Sequence, residues 1–474
     1  MRVTLEPGPV QGCVAAPPSK SMAHRALVCA ALADGESVLA HLGTSQDITA
    51  TRNAMALLGA RLREAPDGLH VTGAGEALRA AAENVQGAGP ADRTKAGQEM
   101  ADAAVENVRA AAAAGEAGAA TKWQGETGAM PEMADAAVEN VRAANAAGGV
   151  TPAPAAPDGA SSPCPAGAAP ARACGAGTSP ALLVDCGESG STLRFLIPLF
   201  SLTGRRVTFT GRGRLLQRPQ DVYARLFAEK NCVFVQTPDA IVVEGALPAG
   251  EYDAAGDVSS QFISGLLFAL ALLPRASRIR IAPPVESRSY IDLTLQAMRD
   301  FGVRGVGWES ENVLAVAPRG GFCARACTVE GDYSQAAFFA VLGAVCGGVT
   351  VTGLRADSLQ GDAVIFDILS RCGAHFSRET RPDGLAFRFE KAPLHAVRID
   401  LADCPDLGPI LMVLGLFCAG ETVIGHAGRL RLKESDRIAA MEQEIRRLGG
   451  RIDTRRPGID PTDLVIVHDL RGLA

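Results

Sequence analysis

The sequence lacks any apolar run long enough to cross a membrane. Its longest runs, residues 262–273 and 410–418, fall well short of the ~18 residues that a membrane helix needs. The first residues, MRVTLEP, contain no basic region followed by an apolar core, so we expect no secretory signal. We therefore expect a cytoplasmic protein with no membrane partner.

Metal-binding cysteine patterns are absent as well. The 12 Cys are scattered without a CxxC pair, and no Cys/His cluster has zinc spacing, so we expect reduced thiols and no metal.

Lysine is scarce, since only six of the 46 basic residues are Lys. The formal net charge of -6 indicates neither a nucleic-acid-binding nor a membrane-binding surface.

One pattern recurs five times along the chain: a polar opening, an apolar helical run, a Gly turn and a β-branched strand. Equivalent positions near the five helix starts are Ser21, Ser191, Ser260, Ser334 and Gly408. The last three steps are 69, 74 and 74 residues, whereas the first is 170, which predicts a large insertion in the first unit. A sixth start would fall beyond the last residue, so we expect five of six units.

Composition places the insertion at residues 76–180. This segment is rich in Ala, Gly and Pro, and the sequence EMADAAVENVRAA occurs in it twice. Such a composition buries too little apolar surface to offset the entropy of ordering. We predict an exposed, largely disordered insertion that folding does not need; a partner-binding appendage is the alternative.

Within the units, helices alternate with strands, which predicts an α/β fold in which helices cover sheets. The polar openings place Ser hydroxyls and free backbone N–H groups at helix N-termini, where anions bind readily. If the five openings converge, the protein holds a strongly anionic small molecule.

The segment PPSKSMAHR opens the first predicted helix. We predict Ser19 as its N-cap, Lys20 and Ser21 in its first turn, and Arg25 one turn further on the same face as Ser21. A cation at a helix start opposes the helix dipole, which is reasonable if an anion lies there; a solvated face is the alternative. We expect His24 to be a packing or surface residue rather than a base.

Other helix starts and loops carry similar groups. In GESGSTLR, Gly190 lets a ligand approach the backbone and Ser191 can contact an anion, although the spacing is not that of a nucleotide P-loop. The neighbouring Cys186 has no base nearby in sequence, so we expect an inert thiol. Further candidates are Arg218 in a loop with three Arg, Ser259, Ser260 and Gln261 at another helix start, and Ser287 and Tyr290 in ESRSY. Each could be only a polar turn, but together they favour an anion site.

Two late segments carry acids. In LKESDR, Lys433 and Arg437 lie four residues apart around Glu434, which is typical of a salt-bridged helix start as well as of a site. Asp406, in DCPDLGP, precedes an apolar run, where a low dielectric would suit a general base. The alternative for Asp406 is a helix N-cap.

These motifs, in this order, resemble those of the 5-enolpyruvylshikimate-3-phosphate synthase family. The resemblance covers residues 1–467 outside the insertion and rests on PPSKSMAHRAL, GESGSTLR, LLQRP, DVSSQF, ESRSYID, VEGDYS, DCPDLGP and LRLKESDRI. It implies transfer of the enolpyruvyl group of phosphoenolpyruvate to the 5-hydroxyl of shikimate 3-phosphate with release of phosphate. It also implies that neither a metal nor an organic cofactor takes part, and we expect a monomer whose partners are these two small molecules.

The family fold is two domains, each of three βαβαββ units. The resemblance therefore implies a complete three-unit domain over residues 19–329, with the insertion inside it, and a discontinuous second domain over residues 1–18 plus 330–474. The family continues with a unit that carries an Asp-His-Arg segment and a late Lys. The sequence shows neither, so we expect an uncovered face on the second domain and reduced activity.

The resemblance also implies a role for each candidate residue. Lys20, Arg218 and Arg437 would contact phosphoenolpyruvate, with the loop of Gly190 and Ser191 against it. The residues that would hold shikimate 3-phosphate are Ser21, Arg25, Ser259, Ser260, Ser287, Tyr290 and Lys433, and Gln261 would touch both ligands. Asp406 would accept the hydroxyl proton, and Glu434 would take part in proton transfer at the methylene carbon. Lys20 is expected to be catalytic as well.

Two alternatives stay open at this point. One is a catalytically dead homologue that only binds shikimate 3-phosphate. The other is a sister enolpyruvyl transferase that acts on UDP-N-acetylglucosamine and usually carries a reactive Cys in a mobile loop, which we cannot place in this sequence.

Overall fold

Each repeated unit is built around a four-stranded sheet. The computed structural model describes residues 8–86, 182–454, 465–468 and 470. Five such sheets lie within these residues, and each joins one parallel pair of strands to an antiparallel hairpin. This confirms the predicted α/β class and the five units.

The strands are β1 (Gly12–Ala15), β2 (Glu36–Ala40), β3 (Arg61–Ala65), β4 (Gly68–Thr72), β5 (Leu182–Asp185), β6 (Val207–Thr210), β7 (Val233–Gln236), β8 (Ile241–Glu244), β9 (Glu251–Ala255), β10 (Ser277–Ala282), β11 (Val306–Ser310), β12 (Val313–Val316), β13 (Ala326–Thr328), β14 (Val349–Leu354), β15 (His375–Arg381), β16 (Gly384–Glu390), β17 (Arg398–Asp400), β18 (Glu421–Gly425), β19 (Ile452–Asp453) and β20 (Val465–His468).

The helices of the described residues are α1 (Lys20–Leu32), α2 (Gln46–Leu57), α3 (Gly75–Gln86), α4 (Gly190–Ser201), α5 (Asp221–Glu229), α6 (Ser260–Leu270), α7 (Arg288–Asp300), α8 (Tyr333–Cys346), α9 (Ile365–Arg371), α10 (Gly408–Phe417) and α11 (Arg437–Arg447). Short 3₁₀ turns span Leu215–Gln217, Gly361–Val364, Pro405–Leu407 and Gly428–Leu432. None of the helices in this part of the chain is long and apolar enough to cross a membrane.

Three sheets use four consecutive strands, in the orders β5-β6-β8-β7, β9-β10-β12-β11 and β17-β18-β20-β19. In each, a helix joins the two parallel strands and a second helix leads to the hairpin, which gives the βαβαββ unit. The other two sheets exchange their first strands. β1 pairs with β14 rather than β2, whereas β13 pairs with β2 rather than β14.

The exchange brings two distant segments side by side. The backbone N–H of Ser19 donates to the Glu330 carbonyl, and that of Asp332 donates to the Pro17 carbonyl, both at 2.8 Å. Pro18 and Gly331 form an antiparallel bridge between the same segments. The chain therefore crosses between the two groups of units twice, and both crossings lie together.

The buried apolar side chains form two clusters. The described members of one lie between Met22 and Val329, and those of the other are Ala16 and residues between Tyr333 and Val467. All the described residues nevertheless belong to one compact unit. The domain boundaries expected at residues 19–329 and at 1–18 plus 330–474 stay a prediction, which the two clusters and the strand exchange favour.

The central helices of the first cluster, α1, α4 and α6, are buried on all sides after their first turns, so neighbouring elements enclose them. Gly265 lets α6 approach α4 closely, since a Cβ at this position would lie 2.3 Å from the Arg194 carbonyl oxygen. The corresponding helices of the second cluster are less covered. Phe338 and Leu342 on α8 and Phe417 on α10 are exposed.

The predicted helix starts are confirmed. Helices α1, α4, α6, α8 and α10 all begin at or one residue before the repeat positions recognised in the sequence. Side chains of Ser19, Ser189, Ser259 and Asp332 cap four of them by accepting a backbone N–H in the first turn. The N-cap of α10 is Leu407, and no side chain of the described residues caps this helix, so the N-cap alternative for Asp406 is wrong.

The predicted insertion begins too early. Residues 76–86 continue α3 rather than an exposed, unstructured segment, and Leu78 and Ala82 on this helix are buried in the first cluster. Composition misplaced the boundary because an Ala-rich helix and an Ala-rich linker have the same composition. The rest of the expected insertion lies outside the described residues.

We expect Leu78→Ala to lower the free energy of unfolding by about 2–5 kcal/mol, because it removes a buried side chain and leaves a cavity. Urea unfolding measures this change. The matched control is Glu76→Ala on the exposed face of the same helix, which should change stability by less than about 0.5 kcal/mol. Equal stability of the two variants would show that α3 does not belong to the core.

Candidate active site

All fifteen candidate residues line one cavity of about 720 Å³, a size typical of small-molecule sites. They are Lys20, Ser21, Arg25, Gly190, Ser191, Arg218, Ser259, Ser260, Gln261, Ser287, Tyr290, Asp406, Lys433, Glu434 and Arg437. The structure thus brings together residues that are up to 417 positions apart in the sequence. The role of each remains a prediction.

Helix starts dominate the wall of the cavity. Residues in the first turns of α1, α2, α4, α6, α8 and α11 all line it. The free N–H groups of a helix start, and the positive end of its dipole, attract negative charge. The convergence expected from the polar openings is therefore present, and it favours an anionic ligand.

Cations outnumber acids in the cavity wall, seven to four. The cations are Lys20, Arg25, Arg194, Arg218, Arg429, Lys433 and Arg437, and the acids are Asp47, Asp332, Asp406 and Glu434. The sequence analysis missed Arg194 and Arg429 as site residues. Arg194 stands in the quoted GESGSTLR motif, but nothing in a single sequence marks an Arg one helical turn into an apolar helix as facing a ligand.

Arg218 and Arg194 form the least neutralised part of the wall. Arg218 is only 7% exposed, and among the described residues its Nε and Nη1 have no hydrogen-bond partner. The Nε of Arg194 is likewise without a partner in that part of the chain. Burial lowers the pKa of both guanidinium groups, and the charge of Arg218 helps to bring the pKa of Arg194 to about 9. Two buried cations without a carboxylate partner among the described residues indicate an anion subsite.

Gly190 makes room for this subsite. A Cβ at position 190 would lie 2.7 Å from Nη1 of Arg218, so only glycine lets the guanidinium rest against the start of α4. Gln261 ties the neighbouring groups together, because its Nε2 donates to Ser191 Oγ at 2.9 Å while its Oε1 accepts from Arg194 Nη1 at 3.0 Å.

Arg25 has a structural role besides facing the cavity. This side chain is 2% exposed and donates to Thr294 Oγ1 at 2.8 Å, to the Ser21 carbonyl at 2.7 Å and to the Tyr290 carbonyl at 2.9 Å. Its guanidinium also lies 5.2 Å from the centre of the Phe195 ring. Burial lowers its pKa to about 10, so it stays charged at neutral pH.

Lys20 and His24 differ in exposure and charge although both lie in the first turns of α1. The ammonium of Lys20 is half-exposed and pairs with Asp47 at 2.7 Å; burial alone would lower the pKa of Lys20, but Asp47 raises it above its usual value. His24 is buried against Thr51 Oγ1 at 2.8 Å, and burial together with Lys20 lowers its pKa to about 3. His24 is therefore a neutral packing residue, as expected.

The Cys186 thiol is also buried, and burial raises its pKa well above its usual value. A thiol that stays protonated is a poor nucleophile. Burial therefore favours an inert thiol, which stays a prediction.

Asp406 lies half-buried between opposite charges. Its Oδ1 accepts from Arg437 Nη1 at 2.8 Å and lies 3.4 Å from Lys433 Nζ, and its Oδ2 accepts from Tyr290 Oη at 3.1 Å. Burial alone would raise the pKa of the carboxyl group, but Lys433, Arg437 and Tyr290 hold it well below the usual range. Without ligand, Asp406 is ionised and only weakly basic.

The LKESDR segment is not a helical turn. Helix α11 begins at Arg437 with Asp436 as its N-cap, so Lys433 and Glu434 precede the helix rather than belong to its first turn. The helix start is nevertheless salt-bridged, because Arg437 donates to Glu434 Oε2 at 3.1 Å as well as to Asp406. The segment is therefore both a salt-bridged helix start and part of the cavity wall. Burial raises the pKa of Glu434, but Arg437 and the other nearby cations bring it below its usual value.

Ser287 is held in a left-handed backbone conformation, with φ at 56°. Its Oγ accepts from Arg429 Nη1 at 3.0 Å, and Arg429 also pairs with Glu286. Arg429 and Ser287 are 142 residues apart in the sequence, which is why local patterns could not reveal Arg429 as part of the wall.

Solved structures with the same fold define the class. The structure of EPSP synthase from Acinetobacter baumannii has a TM-score of 0.62 at 20% identity, covering 98% of this chain and 83% of that chain. The enolpyruvyl transferase NikO from Streptomyces tendae has a TM-score of 0.56 at 13% identity, covering 97% and 82%. The fold is therefore that of the enolpyruvyl transferases.

Sequence similarity identifies the family within this class. The profile of EPSP synthase (3-phosphoshikimate 1-carboxyvinyltransferase) matches residues 5–93 and 171–470. A 3-phosphoshikimate 1-carboxyvinyltransferase of Clostridium beijerinckii is 33% identical over 460 residues, covering 96% of this chain and 83% of the relative. One of Clostridium botulinum is 31% identical over 471 residues, covering 99% and 84%. The chain belongs to the EPSP synthase family, which confirms the resemblance found in the sequence.

The buried arginines Arg194 and Arg218 predict that phosphate stabilises the protein. A ligand present at about 100 times its Kd adds about 2.7 kcal/mol, so the melting temperature should rise with phosphate more than with chloride at equal ionic strength. Arg218→Met should remove most of this rise, whereas Arg214→Met, in the exposed part of the same loop, should retain it. The same rise in both variants would contradict an anion subsite at Arg218.

Proposed function

We propose that the protein transfers the enolpyruvyl group of phosphoenolpyruvate to the 5-hydroxyl of shikimate 3-phosphate and releases inorganic phosphate. The observation that carries the proposal is the convergence of all fifteen motif residues on one cation-rich cavity, in a chain that belongs to the EPSP synthase family. The two substrates together bring two phosphates and two carboxylates. Seven cations and several helix starts are suited to that charge.

Phosphoenolpyruvate is assigned to the side of the cavity formed by Lys20, Arg218 and Arg437. Arg218 supplies two buried nitrogen donors that have no partner among the described residues, and Gly190 leaves the space beside them open. Lys20 is charged and half-exposed, so it can leave Asp47 for a phosphate without a large desolvation cost. Ser191, held by Gln261, lies beside this group.

Shikimate 3-phosphate is assigned to the neighbouring part of the cavity wall. The residues proposed to hold it are Ser21, Arg25, Ser259, Ser260, Gln261, Ser287, Tyr290 and Lys433. Arg25 donates a hydrogen bond to the Tyr290 carbonyl, and this contact fixes α1 against α7. The hydroxyls of Ser21 and Ser260 sit at helix starts, where hydroxyl and backbone N–H donors can share one phosphate.

The reaction proceeds by addition and elimination. The 5-hydroxyl oxygen forms a bond to C2 of phosphoenolpyruvate while its proton passes to a base and the methylene carbon C3 gains a proton. The intermediate then loses a proton from C3 and the C2–phosphate bond breaks, which restores the double bond in the product. We propose Asp406 as the acceptor of the hydroxyl proton, and Glu434 with Lys20 for the proton transfers at C3.

Substrate binding must strengthen Asp406 as a base. In the protein without ligand, Lys433 and Arg437 hold the pKa of its carboxyl group below the usual range. Substrate phosphate and carboxylate groups compete for these two cations, and the pKa of the Asp406 carboxyl group rises whenever one of the cations turns from it to a substrate anion. Asp406 therefore becomes a stronger base as the anionic substrates bind.

We further propose that the two apolar clusters are the cores of two domains, over residues 19–329 and over 1–18 with 330–474. The protein is proposed to act as a cytoplasmic monomer, since one chain supplies all fifteen motif residues of the cavity.

Phosphate release from phosphoenolpyruvate in the presence of shikimate 3-phosphate tests the function. We expect release that depends on both substrates and that is not supported by UDP-N-acetylglucosamine. Asp406→Asn should lower kcat by about 10²–10⁴-fold, the contribution typical of a general base. Asp403→Asn, an exposed neighbour outside the cavity wall, is the matched control and should leave kcat close to that of the wild type.

Binding of shikimate 3-phosphate without release of phosphate would support the alternative of a dead homologue. Release with UDP-N-acetylglucosamine alone as acceptor would support the sister enzyme instead.

Arg25→Ala should weaken the binding of shikimate 3-phosphate by about 1.5–3 kcal/mol, the range for a hydrogen bond to a charged group. Calorimetry measures the affinity directly. Because Arg25 also donates to three protein groups, unfolding of the variant is followed in parallel. Arg52→Ala, which removes a cation outside the cavity wall, is the control. Unchanged affinity in a folded Arg25→Ala protein would exclude this residue from the substrate site.

A further inference from the structure

A second carboxyl group lies behind the cavity and has no role in the proposed reaction. Asp362 is in the 3₁₀ turn Gly361–Val364 and is 1% exposed. Its Oδ2 lies within hydrogen-bonding distance of Ser334 Oγ and 3.2 Å from Tyr290 Oη. The same Tyr290 oxygen lies 3.1 Å from Oδ2 of Asp406. Tyr290 therefore stands between the two acids.

The number of hydrogens in this series of hydrogen bonds is informative. There are three oxygen pairs: Ser334 with Asp362, Asp362 with Tyr290, and Tyr290 with Asp406. The hydroxyls of Ser334 and Tyr290 supply two hydrogens for these three pairs. If both acids were ionised, one pair of oxygens would therefore lie in contact without a hydrogen between them. One extra proton satisfies all three pairs.

The surroundings decide which acid holds the extra proton. Asp406 has two cations beside it, Lys433 and Arg437, whereas among the described residues no cation lies within salt-bridge distance of Asp362. The titratable and polar groups that face Asp362 are Tyr290 from α7, Asp332 and Ser334 from the start of α8, and Cys404 and Asp406 from the segment before α10. Burial, followed by the charge of Asp406, raises the pKa of Asp362 to about 7.

We propose that Asp362 is a positioning residue for the transfer reaction: in its protonated form it donates to Tyr290 Oη, so that Tyr290 gives its single hydrogen to Asp406. Oδ2 of Asp406 is then held by Tyr290, and Oδ1 remains for the cations and for the substrate hydroxyl. The proposal rests on the proposed function, because it gives Asp362 its effect through the base of that reaction.

Ionisation of Asp362 disrupts this arrangement. Asp362 then competes for the Tyr290 hydrogen, and a second negative charge stands behind a site that binds anions. The positioning of Asp406 is lost in a fraction of molecules that grows as pH rises. We therefore expect kcat of the wild type to fall between about pH 6 and 8, on both sides of the pKa of Asp362.

Four variants test the proposal by phosphate release at saturating substrates. Asp362→Asn keeps an N–H donor for Tyr290 but cannot ionise, so its kcat should not fall between about pH 6 and 8. Asp362→Ala should lose roughly tenfold to a hundredfold in kcat at the acid end of this range, with a smaller change in KM. Because Asp362 acts through Tyr290, the double variant Asp362→Ala with Tyr290→Phe should have the same kcat as Tyr290→Phe alone.

The same fall in kcat for Asp362→Asn and the wild type would overturn the proposal. So would wild-type kcat in Asp362→Ala, or additive losses in the double variant. The control Asp367→Asn, on the exposed face of α9, should keep the wild-type pH profile.

Stability gives a readout that does not depend on activity. Since the pKa of Asp362 is about 7 in the folded protein and near 3.8 when unfolded, the folded state binds more protons between these values, and stability falls as pH rises from about 4 to 7. Asp362→Asn should flatten this part of the urea-midpoint profile, and identical profiles would overturn the protonation of Asp362. If the wild type released no phosphate, the proposed function and the positioning role would both fail, whereas a flattened profile would still locate the proton on Asp362.

Discussion

Mutual repulsion among the cations of the cavity is the constraint on which the site depends. Seven positive side chains face one space, and each must be held in place before any substrate neutralises it. The protein uses two methods. Lys20, Lys433, Arg437 and Arg429 are paired with carboxylates, and these pairs can be exchanged for substrate anions. Arg25 and Arg194 instead donate to neutral oxygens, which leaves their charge uncompensated. Arg218 belongs with these two, since its Nε and Nη1 have no hydrogen-bond partner among the described residues and its guanidinium rests against Gly190. The second group makes the cavity attractive to anions.

The repeated unit explains how so many helix starts reach one place. In each unit a helix follows the first strand of a parallel pair, so that its N-terminus lies at the carboxyl end of that strand, where ligands of α/β folds bind. The exchange of β1 and β13 then ties the two groups of units together at the Pro17–Ser19 and Glu330–Asp332 crossings. Asp332 both forms a helix start and joins the two crossings. Its side chain caps α8 and also accepts from the backbone N–H of Lys20 at 3.1 Å.

The sequence was sufficient for the features that depend on local chemistry. Periodicity and polar openings located the starts of α1, α4, α6, α8 and α10, since a helix start needs a capping side chain and an apolar run within a few residues. The family motifs located the residues of the cavity wall. Features that depend on distant segments were missed. Nothing local distinguishes α3 from the Ala-rich segment after it, and Arg429 and Asp362 acquire their surroundings only when parts of the chain far apart in sequence meet.

The acids of the site are more constrained than the cations, because two carboxyl groups that lie close together with different tasks must differ in proton affinity. Asp406 and Asp362 share one tyrosine, yet their environments push the pKa values of their carboxyl groups in opposite directions: the cations beside Asp406 favour its charge, and burial disfavours that of Asp362. The ionised state of Asp406 itself contributes to this difference, since its charge is the next cause, after burial, that keeps the proton on Asp362. When substrate anions draw Lys433 and Arg437 away, the pKa of Asp406 rises, while its negative charge still keeps the proton on Asp362. The proton affinity of Asp406 thus increases with Asp362 still protonated, which is the direction that the removal of a proton from the substrate hydroxyl requires.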